Sequence, residues 1–419
     1  MRDPARQDTI EATAASALPP AARSRTDWPA VLAAVFCGVA VAMNVGKVPI
    51  AMGELRGEFG LSLVAAGWVS SMINTLGVTT ALFVGLLGDR LGALRMCLIG
   101  LLVSALGGIA ALLAASEATM LLSRFAEGAG VVAVAVSAPA LLSAACTPRD
   151  RRFALGIWSG YLPAGVGLVM LLAPLVTPPG GWRGLWLLTL AAILLSALAV
   201  HRLRPAYRVC AAGVVERHPF VTAREALSQP EPWLLALAMA TWTVQHYALI
   251  IWLPTFLLEQ RGLSPAVVAL LSCLMVLVNV PGNLLGGSLL HRDFHRGSLI
   301  AFASLVTGLS GIGIFLDGLP DLLRYALCLM LSFVGGLIPA SVLSASASYA
   351  RTPKQIGTLQ GLFIQCGQIG PFIGPPLIAM LVSASGLWRD AVVVTGSAAL
   401  LGIALGLWIR RHERRAPPA

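Results

Sequence analysis

Residues 96–116 read MCLIGLLVSALGGIAALLAAS, twenty-one positions without a charge between Arg95 and Glu117. As an α-helix rising about 1.5 Å per residue, such a run crosses the roughly 30 Å of hydrocarbon in a bilayer. The run shows none of the two-residue alternation of a barrel strand. Because unpaired backbone groups are costly in lipid, only helices and closed barrels span it, and this run predicts a membrane helix.

Runs of the same kind recur along almost the whole chain. They predict spans at 28–52, 62–87, 93–115, 118–145, 153–176, 183–203, 232–258, 265–290, 297–316, 321–349, 355–384 and 388–410. The composition agrees, at 57% hydrophobic and 11% charged residues, with a mean hydropathy of +0.82. A soluble core of this size would leave too much apolar surface uncovered. The seven cysteines lie mostly inside apolar runs without the short paired spacing of metal sites or disulfide frameworks, and read as small hydrophobes.

The net charge of +10 would suit nucleic acid in a soluble protein. Here the cations sit in alternate loops. Of 29 Lys and Arg residues, 22 fall in one set of loops and tails, beginning with Arg2, Arg6, Arg23 and Arg25 and ending with Arg410, Arg411, Arg414 and Arg415. The opposite set holds Arg56, Arg183, Arg261, Arg324 and Arg389, while Lys47 and Arg124 lie inside spans. Cytoplasmic loops are the ones enriched in Lys and Arg, so both termini are placed in the cytoplasm. The reading is a multi-pass protein of a bacterial-type inner membrane. Its partners are the lipid bilayer and a small-molecule substrate, with no nucleic acid.

Residues 1–27 carry no apolar h-region or cleavage site and read as a disordered cytoplasmic tail. A 28–203 six-helix bundle follows, then a 204–231 cytoplasmic linker, a 232–410 six-helix bundle and a 411–419 cytoplasmic tail. An internal echo supports the halving: Pro49-x4-Glu54-x-Arg56-Gly57 returns as Pro254-x4-Glu259-x-Arg261-Gly262, and Trp182-Arg183 returns as Trp388-Arg389.

The loop after the second span, Gly85-x2-Gly88-Asp89-Arg90-x-Gly92-x2-Arg95, resembles the signature of the major facilitator superfamily. Ala93 and Leu94 replace its basic pair. The fourth span carries Arg124-x2-Glu127-Gly128-x-Gly130, similar to the second motif of that family with Glu for Gln. Gly156-x3-Gly160-x2-Pro163 only loosely resembles the antiporter motif. Gly46-Lys47-Val-Pro49, Trp182-Arg183 and Gly370-Pro371-x2-Gly374-Pro375 resemble, weakly, the cyanate-type anion permeases.

The resemblance implies an all-α fold of 12 transmembrane helices in two six-helix bundles, a substrate site between them, alternating access and a cytoplasmic gate at Gly85, Asp89, Arg90 and Gly92. It also implies that the first, fourth, seventh and tenth spans line the path. The candidate coupling and substrate residues there are Lys47, Arg124, Glu127, Trp242 and His246, with Trp158, Tyr161 and Gln365 nearby. Two cations against one acid and one titratable imidazole favour an anionic substrate moved with protons. Bland alternatives remain open: Lys47 snorkelling to an interface, Arg124 and Glu127 as a structural pair, His246 as a packing residue. Other functions weighed are a proton-coupled multidrug or cation exporter and a non-transporting sensor. An enzyme is not expected, since no nucleophile motif or phosphate loop is present. No cofactor or metal is implied, and one chain with two bundles predicts a monomer.

Overall fold

The computed structural model describes residues 25–210, 224–315, 318–350 and 355–413. The expected N-terminal tail to residue 24, part of the expected linker and the last six residues lie outside them.

The first half opens with α1 (Trp28–Phe59), whose N-terminus is capped by Asp27 Oδ1 accepting from Ala30 N at 3.1 Å and whose end is set by left-handed Gly60. It continues with α2 (Leu63–Ser71), α3 (Thr75–Leu91), α4 (Ala93–Leu112), α5 (Glu117–Ala145), α6 (Arg151–Ser159) and α7 (Tyr161–Arg202). The second half comprises α8 (Pro230–Glu259), α9 (Pro265–Leu277), α10 (Asn279–His291), α11 (Arg296–Phe315), α12 (Asp321–Gly335), α13 (Leu337–Tyr349), α14 (Gln355–Gly367), α15 (Ile369–Ser385) and α16 (Ala391–Glu413). Ten stretches among the described residues are long and apolar enough to cross a membrane, or eleven when a bent pair is counted as one span.

Several predicted spans are single in sequence and broken in space. The second, predicted as 62–87, is interrupted by a 3-10 turn at Met72–Asn74. The fifth bends by 46° between Phe153–Ser159 and Tyr161–Thr177. The fifth and sixth then run together as α7 across Gly181, whose positive φ of 55° makes the corner. The first span is longer than predicted and reaches Phe59, which sets Lys47 twelve residues from its end. Beyond α7, Arg204–Cys210 forms a 3-10 helix, and Tyr207 donates its hydroxyl to Ala30 O at 2.7 Å, tying this piece to the first bundle.

The helices pack through small residues. On α4, Gly100, Ser104, Gly107, Gly108 and Ala111 face inward, while Ile99, Leu102, Leu106, Ile109 and Leu113 are exposed. This inverts the soluble pattern. Hydrocarbon solvates leucine as well as a core does, so close backbone approach decides which face turns in. A Cβ on Gly130 would lie 2.4 Å from Gly100 O, and one on Gly128 only 2.1 Å from Ile73 O. Neither position has room for a side chain.

The halves meet along α2 with α15, α7 with α9, α1 with α8, and α3 with α14. The first two contacts are the same contact made twice, because the half-chain repeat sets α2 opposite α9 and the start of α7 opposite α15. Trp68 packs edge-on against Phe372 at 5.6 Å, and Gln365 Nε2 donates to Val78 O at 2.8 Å. The duplicated motif is wired across the halves: Arg56 Nη1 pairs with Glu259 Oε1 at 2.8 Å. Its twin residues turn elsewhere, Glu54 accepting from the Trp182 backbone N–H and Arg261 pairing with Asp321 at 3.2 Å.

Candidate functional site

Lys47 on α1 and Arg124 and Glu127 on α5 form one cluster, and all three side chains are completely buried. Glu127 is the bridge. Its Oε1 accepts from Lys47 Nζ at 2.6 Å, and its Oε2 accepts from Arg124 Nη1 one helical turn away. An ammonium has three donors, and Lys47 places all of them: on Glu127, on Asn44 Oδ1 at 2.6 Å and on Thr189 Oγ1 at 3.4 Å. The ammonium also lies 4.3 Å from the centre of the Trp186 ring, within cation–π range. The guanidinium of Arg124 reaches Asn44 O at 2.8 Å through Nη2 and Val69 O at 3.2 Å through Nε. Asn44 completes the network by donating to Ser104 Oγ at 3.0 Å.

Helices α1, α2, α4, α5 and α7 each contribute, so the cluster is built wholly by the first half. Helix geometry explains part of this. Asn44 and Lys47, Arg124 and Glu127, and Trp186 and Thr189 are three pairs three residues apart, each on one helix face. Glycine explains the rest: Gly46 lets α7 pass beside Lys47, since a Cβ there would lie 2.7 Å from Val166 O, and Gly107 seats Glu127 against α4. Two cations and one carboxylate leave a formal charge of +1 at a fully buried site. Each ion is tolerable there only because its partners are in place.

The lysine does not snorkel, because its ammonium is fully occupied inside the bundle. Asn44, Ser104, Thr189 and Trp186 were not singled out by sequence. The three-residue spacing of Asn44 to Lys47 was the available signal for the first, whereas nothing in sequence brings Ser104 or Thr189 to this point.

The other expected residues stand apart from the cluster. His246 Nε2 is 3.0 Å from Ser332 Oγ and its ring stacks on Trp242 at 4.6 Å, all within the second half. Among the described residues no hydrogen bond or ion pair joins it to Glu127. Trp158 and Tyr161 stack on each other at 4.3 Å across the bend between α6 and α7, and Trp158 lies against Gly38 of α1. Gln365 bridges the halves through Val78 rather than facing the cluster. The side chains of Gly85, Asp89 and Arg90 lie outside the described residues. Gly92 starts α4 with a positive φ of 81°, a conformation that glycine adopts without strain.

The arrangement is a buried carboxylate held between an ammonium and a guanidinium, with every donor of the ammonium engaged.

Comparison with known proteins gives three results. The sequence model of the Major Facilitator Superfamily matches residues 34–371. The chain is 28% identical over 359 residues to the putative niacin/nicotinamide transporter NiaP of Bacillus subtilis, spanning 82% of this chain and 85% of that one. It is 27% identical over 388 residues to the 3-(3-hydroxy-phenyl)propionate transporter of Escherichia coli, spanning 90% and 93%. In fold, it superposes with a TM-score of 0.79 on a bacterial homologue of the human lysosomal transporter Spinster in an inward-facing, unoccupied conformation, at 18% identity and covering 93% of this chain and 98% of that one.

Proposed function

The chain belongs to the major facilitator superfamily, and on that premise we propose that it is a twelve-span secondary transporter that moves a small organic anion together with protons. The observation that carries this reading is the buried Lys47–Glu127–Arg124 bridge. In the substrate-free state Glu127 is the anion of the site. Protonation of Glu127 removes its charge and releases donors of Lys47 and Arg124, which then hold the carboxylate of the substrate. The charge of the site is the same before and after, so neither state leaves a bare ion in the low-dielectric interior. Proton and anion enter as a pair, and neither is stable there alone.

Relatives over most of the chain length support the substrate class, since one is named for a propionate and another for niacin. The orientation follows from the skewed distribution of Lys and Arg, with both termini cytoplasmic and the Arg56–Glu259 pair at the periplasmic end. Trp242, His246, Trp158 and Tyr161 are proposed to wall the organic part of the substrate once the halves open, and one chain suffices for the path.

The test is uptake of radiolabelled niacin, 3-(3-hydroxyphenyl)propionate and a panel of lipophilic cations into proteoliposomes, with and without an imposed pH gradient. Accumulation of an anion only when the outside is more acidic supports the reading. Movement of cations alone, or anion flux indifferent to the gradient, overturns it.

A further inference from the structure

The two halves carry the same Trp-Arg corner, and the first half shows what that corner does. Trp182 Nε1 donates to Glu58 Oε2 at 2.6 Å, while Arg183 grips both oxygens of the same carboxylate, at 2.9 Å through Nη1 and 2.6 Å through Nη2. This is a fork-shaped carboxylate site, occupied by a residue of the chain itself.

In the second half the donors return as Trp388 and Arg389, and a positive-φ glycine again precedes them, Gly386, two residues ahead where Gly181 is one ahead. The acid does not return. Aligned on the left-handed glycines that follow the two helices, Gly60 and Gly262, and on the caps Ser62 and Ser264 just beyond them, the position of Glu58 is held by the neutral Gln260. Among the described residues the Arg389 guanidinium has no hydrogen-bond or ion-pair partner; only its backbone carbonyl is engaged, by Ala391 N–H. A pocket of about 300 Å³ lies where the carboxylate would be, lined by Arg261, Arg324, Arg389, Gln260, Phe256 and Trp388. Of the cations, Arg261 is paired with Asp321 and Arg324 donates to Leu319 O at 3.4 Å, so the pocket is basic but not bare. Phe256, Phe315 and Trp388 also line a narrow apolar slot that continues inward toward Gln245, a buried amide whose Oε1 is left without a partner.

We propose that this pocket is a second binding site for a small carboxylate with an apolar or aromatic body, the external ligand taking the place that Glu58 fills in the first half. The carboxylate sits on Arg389 and the indole N–H of Trp388, and the apolar body enters the slot between Phe256 and Phe315. The pocket shares no residue with the Lys47–Glu127–Arg124 cluster. Binding here stands or falls independently of the transport reading, and only a role as an antechamber for transported anions rests on that reading.

The test uses 4-fluorobenzoate, followed by ¹⁹F relaxation in detergent-solubilised full-length protein, with 4-fluorobenzyl alcohol as the control for micelle partitioning. The wild type is compared with Arg389→Gln, with Gln260→Glu, which rebuilds the internal acid, and with Gln260→Met, which changes the side chain without adding charge. Loss of a charge-assisted hydrogen bond weakens binding by about tenfold or more. That loss is expected for Arg389→Gln and Gln260→Glu, whereas Gln260→Met is expected to bind as the wild type does. Equal binding by all four proteins, or none above the alcohol control, overturns the proposal. Uptake that fails in the proteoliposome assay while this binding persists would overturn the transport reading alone.

Discussion

A carboxylate set between two cations at a buried site is the member whose loss leaves the most uncompensated charge. Glu127→Gln leaves Lys47 and Arg124 facing each other across a neutral amide, at a cost of about 3–5 kcal/mol. Lys47→Met keeps the neutral Arg124–Glu127 pair and strands Asn44 and Thr189, which costs about 1–3 kcal/mol. Thermal unfolding in detergent is therefore expected to rank Glu127→Gln below Lys47→Met. A bound anion restores the missing charge, so niacin or a propionate should raise the melting temperature of Glu127→Gln more than that of the wild type. The reverse ranking would mean that the cations are held by something other than Glu127. Outside the membrane, the Asp150 carboxylate accepts from Thr26 Oγ1 at 2.5 Å and Thr147 Oγ1 at 3.1 Å, and these bonds hold its pKa below the usual carboxylate value. The stability it adds is present above the unfolded pKa of about 3.9 and is lost as pH falls through the lower folded value. Asp150→Asn should flatten that acid-side loss, measured as melting temperature from neutral to acid pH.

At the scale of elements, the contacts that matter are those in which backbone meets backbone. The turn at Met72–Asn74 that divides α2 from α3 abuts Gly128 of α5, one residue past Glu127. Gly128→Ala forces the two apart and is expected to cost about 1–3 kcal/mol of overpacking. Because Val69 O of α2, three residues before that turn, accepts from Arg124 Nε, the substitution should also lower anion affinity. A variant that melts lower yet binds normally would separate the break from the site. Sequence showed where apolar runs were, and it showed the two-residue-type motif on α5. It did not show that the spans at 62–87 and 153–176 are broken, since local hydropathy is blind to which carbonyls neighbouring helices satisfy. Lys47, Arg124 and Glu127 were legible as rare intramembrane charges, and the i,i+3 pairing of the last two followed from helix geometry. That Lys47 binds the same carboxylate, with Thr189 and Ser104 completing the network, depends on contacts between residues up to 142 positions apart, which no local pattern encodes. His246 was read from sequence as an alternative proton carrier or a hydrogen-bonded packing residue, and the fold sets it against Ser332 and Trp242.

For the whole molecule, the duplicated halves meet through two equivalent helix pairs and one cross-wired ion pair, Arg56 with Glu259. An exposed pair of this kind adds little stability, on the order of 1 kcal/mol or less. Its value here is as a marker of which end is closed. With cysteines at both positions, an oxidised Arg56→Cys/Glu259→Cys protein should lose uptake and recover it on reduction; unchanged flux after crosslinking would mean that the halves need not part at this end. The repeated Glu-x-Arg-Gly and Trp-Arg motifs were legible in sequence, whereas the pairing of Arg56 from one copy with Glu259 from the other was not. The central claim concerns linkage between proton and anion at Glu127, and it is tested most directly in weakly buffered detergent solution with a pH indicator, by adding a saturating transported anion. About one proton should be taken up per anion bound, as linkage requires when a buried carboxylate is neutralised, and Glu127→Gln should bind the anion with no proton uptake. Binding by the wild type without proton uptake, or uptake undiminished in Glu127→Gln, would contradict the account.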